Sequence, residues 1–344
     1  MPVKGAIIGF GHIAANGHVP AYRANPDFRI EAVCDSHAER MPLNERLLPG
    51  SRFYSSADEL LEKEDIDFVD VSTPPAAHAV FILKALSSGR HVLCEKPLVL
   101  DVADLRDIWQ TMERTGRVVV TVHNWRYSPI LQKVSSLVRD GKIGRVKNME
   151  YRVIRTQPSA AVGNGVSENW RLDPAVAGGG ILVDHGWHAF YLVNEWADAV
   201  PEKVECRLEN KKFRDIRVED TAEVRFRYHG GMEARLFFTW AGGERSNYIA
   251  IEGSQGRIEV PDNIVRLENW RGKSEIAFSE GLSAGSHHPD WYGAVLREFL
   301  SEMKDRKAAG RNFKEASCCF NLLELCKRSS AYGNAVAVRG WENG

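Results

Sequence analysis

The chain has no excess of charge of either sign and no long apolar run. Its 45 Lys and Arg residues nearly balance its 46 Asp and Glu residues, and the formal net charge is -1. A nearly neutral chain gives no electrostatic case for binding nucleic acid or an anionic membrane surface. No apolar stretch reaches the roughly 18 residues that suggest a transmembrane helix. The composition therefore favours neither a nucleic-acid partner nor a membrane partner.

Residue patterns typical of metal or disulfide sites are also missing. None of the six cysteines forms a C-x-x-C pair, and most lie inside apolar runs. The histidine pair at residues 287–288 has no acid or cysteine at ligand spacing, so we expect a loop and no metal there. Buried thiols behave as small apolar side chains. We expect reduced, buried thiols at all six positions: Cys34, Cys94, Cys206, Cys318, Cys319 and Cys326.

Internal repeats, long linkers and low-complexity segments are absent from the sequence. The length of 344 residues exceeds what one hydrophobic core usually serves, which predicts two domains. Hydrophobic residues make up 44% and charged residues 26%, as in ordinary soluble globular proteins. No basic-then-apolar leader opens the sequence, and we expect a cytoplasmic protein.

A glycine turn near the start of the chain organises the first domain. The apolar run Val3 to Ile8 precedes a G-x-G-x-x-A pattern at residues 9–14, and a helical stretch follows to about Asn25. Gly9 permits a sharp turn where a Cβ would clash. Gly11 lets the backbone approach a pyrophosphate, to which the helix N-terminus presents N–H groups. Such a pattern alone often marks only a turn, but its place between a strand and a helix predicts a dinucleotide site.

An acidic residue stands at the distance that this site requires. The next apolar run, residues 28–34, ends directly before Asp35. A carboxylate at the end of the second strand can bind both hydroxyls of an adenosine ribose. It would also repel a 2′-phosphate. The sequence therefore favours NAD over NADP.

Short apolar strands alternate with helices through the first 125 residues. Further strands are expected near residues 68–72, 91–94 and 118–122. This alternation predicts a parallel sheet that is covered by helices on both faces. Ligands of such sheets bind beyond the carboxyl ends of the strands. Five candidate residues fall at these ends: Gly9, Asp35, Thr73, Lys96 and Asn124.

From about residue 145 the pattern changes to antiparallel strands. Residues 222–228 alternate, with Val224 and Phe226 on one face and Glu223 and Arg225 on the other, which predicts a half-buried strand. The last two helices are expected to pack on the first domain. Further strands are predicted near residues 204–208, 232–240, 248–252 and 257–260, and helices near residues 181–196, 291–304 and 313–329.

One predicted helix carries a carboxylate and an imidazole that suit proton transfer. Asp184 and His188 follow three glycines and lie four residues apart, so an α-helix places them on one face. A carboxylate beside an imidazole raises its basicity. The imidazole could then remove the proton of an alcohol while hydride leaves the same carbon. The alternative is a partly buried histidine with no chemical role, and the pair alone favours that alternative.

Lys96 stands at the predicted ligand edge of the parallel sheet. It follows an apolar strand and precedes Pro97. An ammonium there can hydrogen-bond a reacting oxygen and stabilise developing negative charge. The alternative is a solvated surface lysine. Glu95 is either an orienting partner of Lys96 or a surface acid.

Taken in order along the chain, these motifs resemble the Gfo/Idh/MocA oxidoreductases. That family includes glucose–fructose oxidoreductase and inositol dehydrogenases. The resemblance spans nearly the whole chain, and its set of motifs is more specific than any one of them. It rests on the glycine turn, Glu95-Lys96-Pro97, the triple glycine with D-x-G-x-H at residues 178–188, Thr73-Pro74-Pro75 with His78, residues 124–129, Trp170-Arg171 and residues 218–221.

The resemblance implies an α/β protein with an NAD(P)-binding Rossmann domain over residues 1–125. An α+β domain with a large, mostly antiparallel open sheet is implied for residues 126–344. The implied reaction is hydride transfer between nicotinamide and a secondary alcohol of a sugar, polyol or sugar derivative. Lys96 matches the substrate-positioning lysine, His188 the acid/base histidine and Asp184 the aspartate that assists it. A homodimer or homotetramer through the C-terminal sheet is also implied.

Position and resemblance together define the expected site residues. The cofactor site is expected to contain Gly9, Phe10, Gly11, His12, Ile13, Asp35, Ser72, Thr73, Pro74, His78, Glu95, Lys96 and Asn124. The substrate site is expected to contain Lys96, Arg126, Trp170, Arg171, Asp184, His185 and His188.

Two departures from the family pattern bear on the substrate. Tyr191 stands three residues after the histidine, where the family often has an acid, and His185 adds a second imidazole. The segment 158–168, rich in small residues, is either an active-site lid or an oligomer arm. Two other functions use the same residues: a redox-neutral glycosidase or epimerase that keeps NAD bound, and a non-catalytic sensor of NAD or sugar.

Overall fold

The computed structural model describes residues 1–159, 169–285 and 288–340, which fold as two compact units. The first unit contains residues 1–124 and 288–317. The second contains residues 125–159, 169–285 and 318–340. The candidate lid or oligomer arm lies outside the described residues from residue 160 onward, and so does His287.

Six strands form the sheet of the first unit. They are β1 (Val3–Ile8), β2 (Phe28–Cys34), β3 (Arg52–Tyr54), β4 (Phe68–Val71), β5 (His91–Cys94) and β6 (Val119–Thr121). Their order is β3-β2-β1-β4-β5-β6, and all neighbours are parallel. Every residue of β4 and β5 is buried, as expected of strands with helices on both faces. The predicted parallel sheet is confirmed.

Helices connect these strands, and polar side chains fix several helix ends. Ser56 Oγ accepts the Glu59 N–H at 3.4 Å, and Asp101 accepts the Ala103 N–H at 2.7 Å. Gly116, at φ +66°, ends the longest of them. The connections are a π-helical turn (Ala14–His18) continuing as α1 (Val19–Ala24), a 3₁₀ turn (Ala38–Arg40) before α2 (Met41–Leu47), α3 (Ala57–Lys63), a 3₁₀ turn (Pro75–Ala77) before α4 (His78–Ser87), and α5 (Val102–Thr115).

A nine-stranded sheet forms the core of the second unit. Its strands are β7 (Val146–Ile154), β8 (Lys203–Glu209), β9 (Thr221–Arg227), β10 (Glu233–Thr239), β11 (Ser246–Gly253), β12 (Gly256–Pro261), β13 (Ile264–Asn269), β14 (Gly272–Ala277) and β15 (Val336–Ala337). Their order is β14-β13-β12-β11-β7-β10-β9-β8-β15. Only the central pair, β7 and β10, is parallel. This arrangement confirms a large, mostly antiparallel sheet.

The two faces of this sheet differ in polarity, as the alternation in β9 predicts. Val224 and Phe226 are buried, whereas Glu223 is exposed. On the polar face Arg227 lies 3.3 Å from Glu205 of β8 and 3.3 Å from Glu233 of β10. Cross-strand ion pairs of this kind stabilise neighbouring strands on a sheet face that is not part of the core.

Helical segments before β7 and between β7 and β8 complete the second unit. Its main helix follows a π-helical turn, and eight of the helix's eleven residues are buried. The segments are a 3₁₀ turn (Asn124–Tyr127), α6 (Pro129–Arg139), a 3₁₀ turn (Trp170–Leu172), α7 (Pro174–Ala177), a π-helical turn (Leu182–Gly186) and α8 (Trp187–Ala197).

Two long helices lie between β14 and β15 in sequence, α9 (Pro289–Lys304) and α10 (Arg311–Tyr332). Helix α9 belongs to the first unit, where Phe299 packs against Phe28 and Phe68. The first turns of α10 also belong to that unit, and the Asn312 side chain bonds both backbone groups of Thr121. From residue 318 the same helix contributes to the second unit.

All six cysteines are free thiols, and five of them are buried. Within the described ranges no three His, Cys, Asp or Glu side chains are grouped as a metal site would require. No helix among these residues combines the length and the apolar character needed to cross a membrane.

Candidate active site

The glycine turn after β1 is packed against the loop after β4. Gly9 has φ +92°, and a Cβ there would lie 2.7 Å from the Thr73 backbone nitrogen. Its N–H donates to the Cys34 carbonyl at 2.8 Å, and Ser72 Oγ donates to the Gly9 carbonyl at 2.7 Å. Only glycine fits this position, because both the dihedral angle and the space exclude a side chain.

The start of the helix after this turn lies at the surface. The Gly11 carbonyl accepts the Ala15 N–H at 3.0 Å, and a Cβ on Gly11 would have only Arg40 within 4 Å, at 3.8 Å. His12 is exposed, and its ring and carbonyl contact the Asn16 amide. Ile13 is partly buried. Protein packing does not require a glycine at position 11, which is consistent with close approach of a ligand.

Asp35 is a buried carboxylate with several protein donors. Its Oδ2 accepts the Phe10 N–H at 2.6 Å and lies 2.5 Å from Arg40 Nη1. Its Oδ1 accepts the His37 N–H at 2.9 Å. The sequence interpretation did not consider Arg40, which places a positive charge at the carboxylate expected to bind the ribose. A guanidinium is also a strong ligand for phosphate.

The loop after β4 contains a second part of the expected cofactor site. Ser72 and Thr73 lie beside the glycine turn, and Pro74 is exposed. Thr73 Oγ1 is buried and has no hydrogen-bond partner among the described residues. The buried His78 ring lies between the Thr73 and Pro97 carbonyl oxygens, each 2.9 Å from a ring nitrogen. Burial lowers the pKa of His78.

These observations fit a bound dinucleotide. Gly9 and Gly11 leave room where a Cβ would intrude or narrow the approach, and Asp35 stands at the end of the neighbouring strand. The orphaned hydroxyl of Thr73 lies at the same edge of the sheet. Sites that bind nucleotides at this edge use backbone donors and a few such polar groups.

Glu95 and Lys96 directly follow β5 at this same edge. Both side chains are partly buried, and Pro97 follows a cis peptide bond. The Lys96 N–H donates to Glu95 Oε2 at 3.1 Å. Glu95 Oε1 lies 3.0 Å from His18 Nε2. Glu95 is therefore tied to the protein through both oxygens and is not a solvated surface acid.

His18 joins Glu95 to a buried cluster that sequence reasoning missed. Its Nδ1 lies 3.0 Å from Asp70 Oδ2, the oxygen to which the Tyr22 and Tyr292 hydroxyls also donate at 2.9 Å. The Tyr292 ring stacks on the imidazole with centroids 4.0 Å apart. Asp70 is the one carboxylate inside the apolar run of β4, and that exception was the available signal.

In the second unit, His188 is immobilised by aromatic side chains. It lies on α8, is 6% exposed and stacks on Trp125 with ring centroids 5.5 Å apart. Its Nδ1 is 3.1 Å from the Tyr191 hydroxyl. Tyr191 therefore contacts the imidazole from the position where the resembled family often has an acid. The Arg126 guanidinium lies over the Tyr191 ring, 5.1 Å from its centroid.

Asp184 lies on the π-helical turn that precedes α8. Its Oδ2 is 3.6 Å from His185 Nε2 and accepts the Ser159 Oγ–H at 3.2 Å. The sequence interpretation assumed an α-helix here, whereas a π turn has i→i+5 hydrogen bonds and a wider circuit. The second imidazole of the segment, His185, also meets Trp125 edge to face, with centroids 6.1 Å apart.

A partly buried carboxylate fixes the start of this helix. Glu219 accepts the Gly180 N–H at 2.9 Å and the Leu182 N–H at 3.0 Å, and its backbone carbonyl accepts the Ile181 N–H at 3.1 Å. A Cβ on Gly180 would overlap the Glu219 carbonyl oxygen. Burial raises the pKa of Glu219, against the effect of these hydrogen bonds. The glycines and Glu219 together set the direction of the segment that carries Asp184.

The remaining expected substrate residues are Trp170 and Arg171, and a chain of hydrogen bonds links Arg171 to Asp184. The Arg171 guanidinium lies over the Trp170 ring, 4.5 Å from the ring centroid. The backbone N–H of Arg171 donates to Asn169 Oδ1. Asn169 Nδ2 donates to the Ser159 carbonyl at 2.9 Å. Contacts thus run from Arg171 through Asn169 and Ser159 to Asp184. Ser159 and Asn169 were not predicted, because no local motif marks them.

One further arginine of the second unit escaped prediction. Arg155 follows β7 and is 4% exposed, and its Nη1 donates to Asn247 Oδ1 at 2.8 Å. Burial lowers its pKa to about 10, and the charge of Asp184 opposes that effect. A buried guanidinium therefore lies within electrostatic range of Asp184. Asn124, the last expected cofactor residue, is partly buried at the start of a 3₁₀ turn.

Comparison with known proteins extends these observations. Residues 3–123 match a family model described as an oxidoreductase family with an NAD-binding Rossmann fold. Residues 131–259 match a model of the GFO/IDH/MocA C-terminal domain. The two matches together span most of the chain and both of the predicted domains.

Individual relatives agree with the family models. The chain is 35% identical to D-apiose dehydrogenase of Paraburkholderia graminis over 141 residues, which is 41% of this chain and 37% of that protein. It is 26% identical to dTDP-3,4-didehydro-2,6-dideoxy-alpha-D-glucose 3-reductase of Actinomadura kijaniata, covering 86% and 92% of the two chains.

A solved structure shows the same fold over almost the full length. It is an oxidoreductase from Agrobacterium radiobacter in complex with NAD+, L-tartaric acid and magnesium. The identity is 21%, the TM-score is 0.83, and the match covers 98% of both chains. The two family models confirm the predictions of an NAD-dependent oxidoreductase and of its family. The chain belongs to the Gfo/Idh/MocA oxidoreductases, whose N-terminal domain is an NAD-binding Rossmann fold.

Proposed function

We propose that this oxidoreductase transfers hydride between nicotinamide and a secondary alcohol carbon of a sugar, a polyol or a sugar derivative. In this proposal Lys96 positions the substrate, His188 exchanges the alcohol proton and Asp184 assists His188. Bound NAD supplies the hydride acceptor or donor. The observation that carries the proposal is the immobilised imidazole of His188, which Trp125 and Tyr191 hold in one orientation.

An immobilised imidazole suits the proton half of this reaction. The contact of Nδ1 with the Tyr191 hydroxyl fixes the ring and directs proton exchange to Nε2. Oxidation of an alcohol removes a proton from oxygen and a hydride from carbon, so a base at that oxygen lowers the barrier. In the reverse direction His188 returns the proton to the new alkoxide. An ammonium from Lys96 at the same oxygen stabilises its negative charge.

The substrate class is supported by the relatives and by the polar side chains of the second unit. Two relatives are named for apiose and for a dTDP-linked deoxy sugar. Trp170, Arg126 and Arg171 combine flat apolar surfaces with charged donors. Sugars are bound in proteins by stacking on aromatic rings and by hydrogen bonds from such donors. A sugar or polyol is therefore the proposed substrate.

We also propose that NAD is preferred over NADP. Asp35 stands at the end of β2, where a carboxylate binds ribose hydroxyls and repels a 2′-phosphate. Arg40 Nη1 lies 2.5 Å from Asp35 Oδ2, and its positive charge weakens that repulsion. The ratio of kcat/KM for the two cofactors measures the preference. Faster turnover with NADP would contradict the proposal.

Two further parts of the proposal concern assembly and location. We propose a homodimer or homotetramer through the polar face of the nine-stranded sheet, where Arg152 lies over the Tyr248 ring. Light scattering on the purified protein would show a mass of two or four chains, and a monomer at micromolar concentration would contradict this. We also propose a cytoplasmic location. Fractionation of the producing cells tests it.

Turnover of a substrate panel tests the function. Each sugar or polyol is incubated with the enzyme and NAD, and NADH is followed by absorbance. Lys96→Ala and His188→Ala are each expected to lower kcat/KM by on the order of 100-fold or more while NAD still binds. Lys84→Ala and His229→Ala serve as controls, because Lys84 pairs with Asp58 at the surface and the His229 side chain is 93% exposed.

The same panel separates the alternatives. A product formed without net NADH supports the redox-neutral glycosidase or epimerase. Binding of NAD and a sugar without any product supports the sensor. Near wild-type rates in both Lys96→Ala and His188→Ala would remove the proposed roles of these residues.

A further inference from the structure

The buried cluster around His18 places a cation between two carboxylates inside the first unit. The His18 side chain is 1% exposed, that of Asp70 is fully buried and that of Glu95 is 14% exposed. Each ring nitrogen lies 3.0 Å from a carboxylate oxygen. Because a carboxylate oxygen only accepts hydrogen bonds, both ring nitrogens donate and the imidazole is charged.

The electrostatics of the cluster agree with this assignment. Burial lowers the pKa of His18, but the charges and hydrogen bonds of Asp70 and Glu95 outweigh burial and raise it to about 9. Burial raises the pKa of Glu95. The hydrogen bond from His18, together with the charges of His18 and Lys96, outweighs burial and lowers this pKa below its usual value. Four other ionisable side chains face these carboxylates: burial and the charge of Asp70 keep the hydroxyls of Tyr22 and Tyr292 neutral, burial and the charge of Glu95 keep the Cys94 thiol neutral, and burial lowers the pKa of His78.

Glu95 is the member of this cluster that lies at the ligand edge of the sheet, directly after β5. Asp70 Oδ2 is occupied by His18 and the two tyrosine hydroxyls. Glu95 instead uses one oxygen for His18 and the other for the backbone N–H of Lys96. Both oxygens of Glu95 are thus held, and the residue held in this way precedes Lys96 in the chain.

We propose that His18 is a positioning residue for Lys96, which it holds through Glu95 by an Asp70–His18–Glu95 line of charge-assisted hydrogen bonds. This inference rests on the proposed role of Lys96. The imidazolium keeps Glu95 ionised, and the ionised carboxylate both anchors the Lys96 backbone and faces the Lys96 charge. Loss of His18 therefore displaces Lys96 and leaves a buried carboxylate whose charge is no longer balanced.

A cluster that served only stability would respond differently to mutation. Removal of any hydrogen bond in it would then lower the melting temperature but leave the pH dependence of turnover unchanged. If His18 holds Glu95 ionised, its loss raises the pKa of Glu95. In the direction of carbonyl reduction His188 acts as the acid, so its titration limits the basic side of the pH profile and the acid limb moves with Glu95. The position of that limb separates the two cases.

The test compares His18→Gln with Tyr22→Phe. Glutamine cannot carry the charge, whereas Tyr22→Phe removes a hydrogen bond to Asp70 from the same cluster and leaves both contacts of His18. For His18→Gln we expect kcat/KM for the sugar to fall on the order of 10- to 100-fold, because small displacements of a reacting group are costly. Its acid limb should move up by about one pH unit or more. The profile of Tyr22→Phe should match wild type.

A wild-type rate and pH profile in His18→Gln would overturn the inference, and so would a lower rate with an unmoved acid limb. If His18→Gln does not fold, Glu95→Gln replaces it, since this variant keeps the shape and removes the charge. Glu95→Gln is expected to lose a comparable fraction of turnover, and an unchanged rate would overturn the inference. Lys96→Ala is measured alongside. If Lys96→Ala is fully active, the proposed function fails; if only His18→Gln is unaffected, the positioning role alone fails.

Discussion

Each of the two units buries a histidine, and the two histidines have contrasting neighbours. His18 lies between the carboxylates of Asp70 and Glu95, which hold it as a cation. The described contacts of His188 include the indole of Trp125 and the hydroxyl of Tyr191. Burial is similar in the two cases, so burial does not decide what a histidine does. For His18 the charge of its partners decides, because a carboxylate stabilises the protonated ring. The aromatic contacts of His188 fix mainly the orientation of its ring.

Each unit also contains a glycine in close contact with the backbone of another segment. In the first unit a glycine turn is pressed against a neighbouring loop, and in the second a glycine is pressed against the carbonyl of Glu219. The first contact shapes the expected phosphate site. The second sets the direction of the helix that carries Asp184 and His188. The following predictions test how far the two units depend on these features, beginning with the largest expected effect.

Replacing the glycine at either close approach should be the most damaging change. Gly9→Ala would bring a Cβ within 2.7 Å of the Thr73 nitrogen at φ +92°, and Gly180→Ala would overlap the Glu219 carbonyl oxygen. Both neighbours are backbone atoms that cannot move aside cheaply. We expect each variant to lower the free energy of unfolding by about 3 kcal/mol or more, measured by denaturant titration.

Gly293→Ala in the first unit and Gly243→Ala in the second are the matched controls. A Cβ at either position meets no atom within 4 Å, and neither residue has a positive φ. Each control should change the free energy of unfolding by less than about 1 kcal/mol. Equal losses in the controls and in Gly9→Ala or Gly180→Ala would show that close backbone contact is not the cause.

The charged imidazole of the first unit should make stability depend on pH. The pKa of His18 is about 9 in the folded protein and 6.5 for an ordinary histidine, so the folded state binds the proton more tightly. This contribution is fully present below pH 6.5 and is lost as the pH rises through about 9. The difference between the two values corresponds to about 3 kcal/mol.

Urea unfolding at several pH values between 6.5 and 9.5 measures this dependence. The wild-type protein should lose more stability across that window than His18→Gln, because the variant has no imidazole to deprotonate. Parallel curves for the two proteins would mean that His18 has an ordinary pKa and that the contrast with His188 is wrong.

The smallest predicted effect concerns the aromatic setting of the second unit. Tyr191→Phe keeps the ring under Arg126 and removes the hydroxyl that contacts His188. We expect kcat to fall about tenfold with little change in KM for NAD, because the imidazole loses one orienting contact and no charge. Steady-state kinetics with the substrate from the panel measures it.

Tyr228→Phe provides the control for this change. The Tyr228 hydroxyl is also in the second unit and donates to Asn194 at 2.9 Å, away from His188 along α8. It should keep kcat within about twofold of wild type. If Tyr228→Phe and Tyr191→Phe lower kcat equally, the loss reflects general destabilisation and not the orientation of His188.

Several elements could be predicted because their signals are local. The strand at 91–94 has the predicted bounds, since a continuous apolar run suffices to define it. The strand from Val146 to Ile154 was not predicted, although it lies at the centre of the nine-stranded sheet. Strand β14 was missed because all six of its residues are exposed and leave no apolar pattern.

Some residues of the candidate site are likewise marked by a local motif, whereas others are brought together only by folding. Gly9 and Asp35 are marked by motifs whose spacing follows from one strand–turn–helix–strand unit. His18 meets Asp70 and Glu95 across 52 and 77 positions of sequence, and no local pattern links residues so far apart. The roles of Lys96, Asp184 and His188 stay predictions that the kinetic experiments above will decide.

The sequence by itself determined most strands and helices of the first unit, the family and the glycine turn, because each depends on side chains that are close along the chain. Tertiary structure alone decided which polar groups share a low-dielectric interior. It made Glu95 a partner of His18 rather than a surface acid, and it placed Tyr191 against His188. The physical reason is that the charge of a buried group depends on its neighbours in space, and folding brings these together from distant parts of the chain.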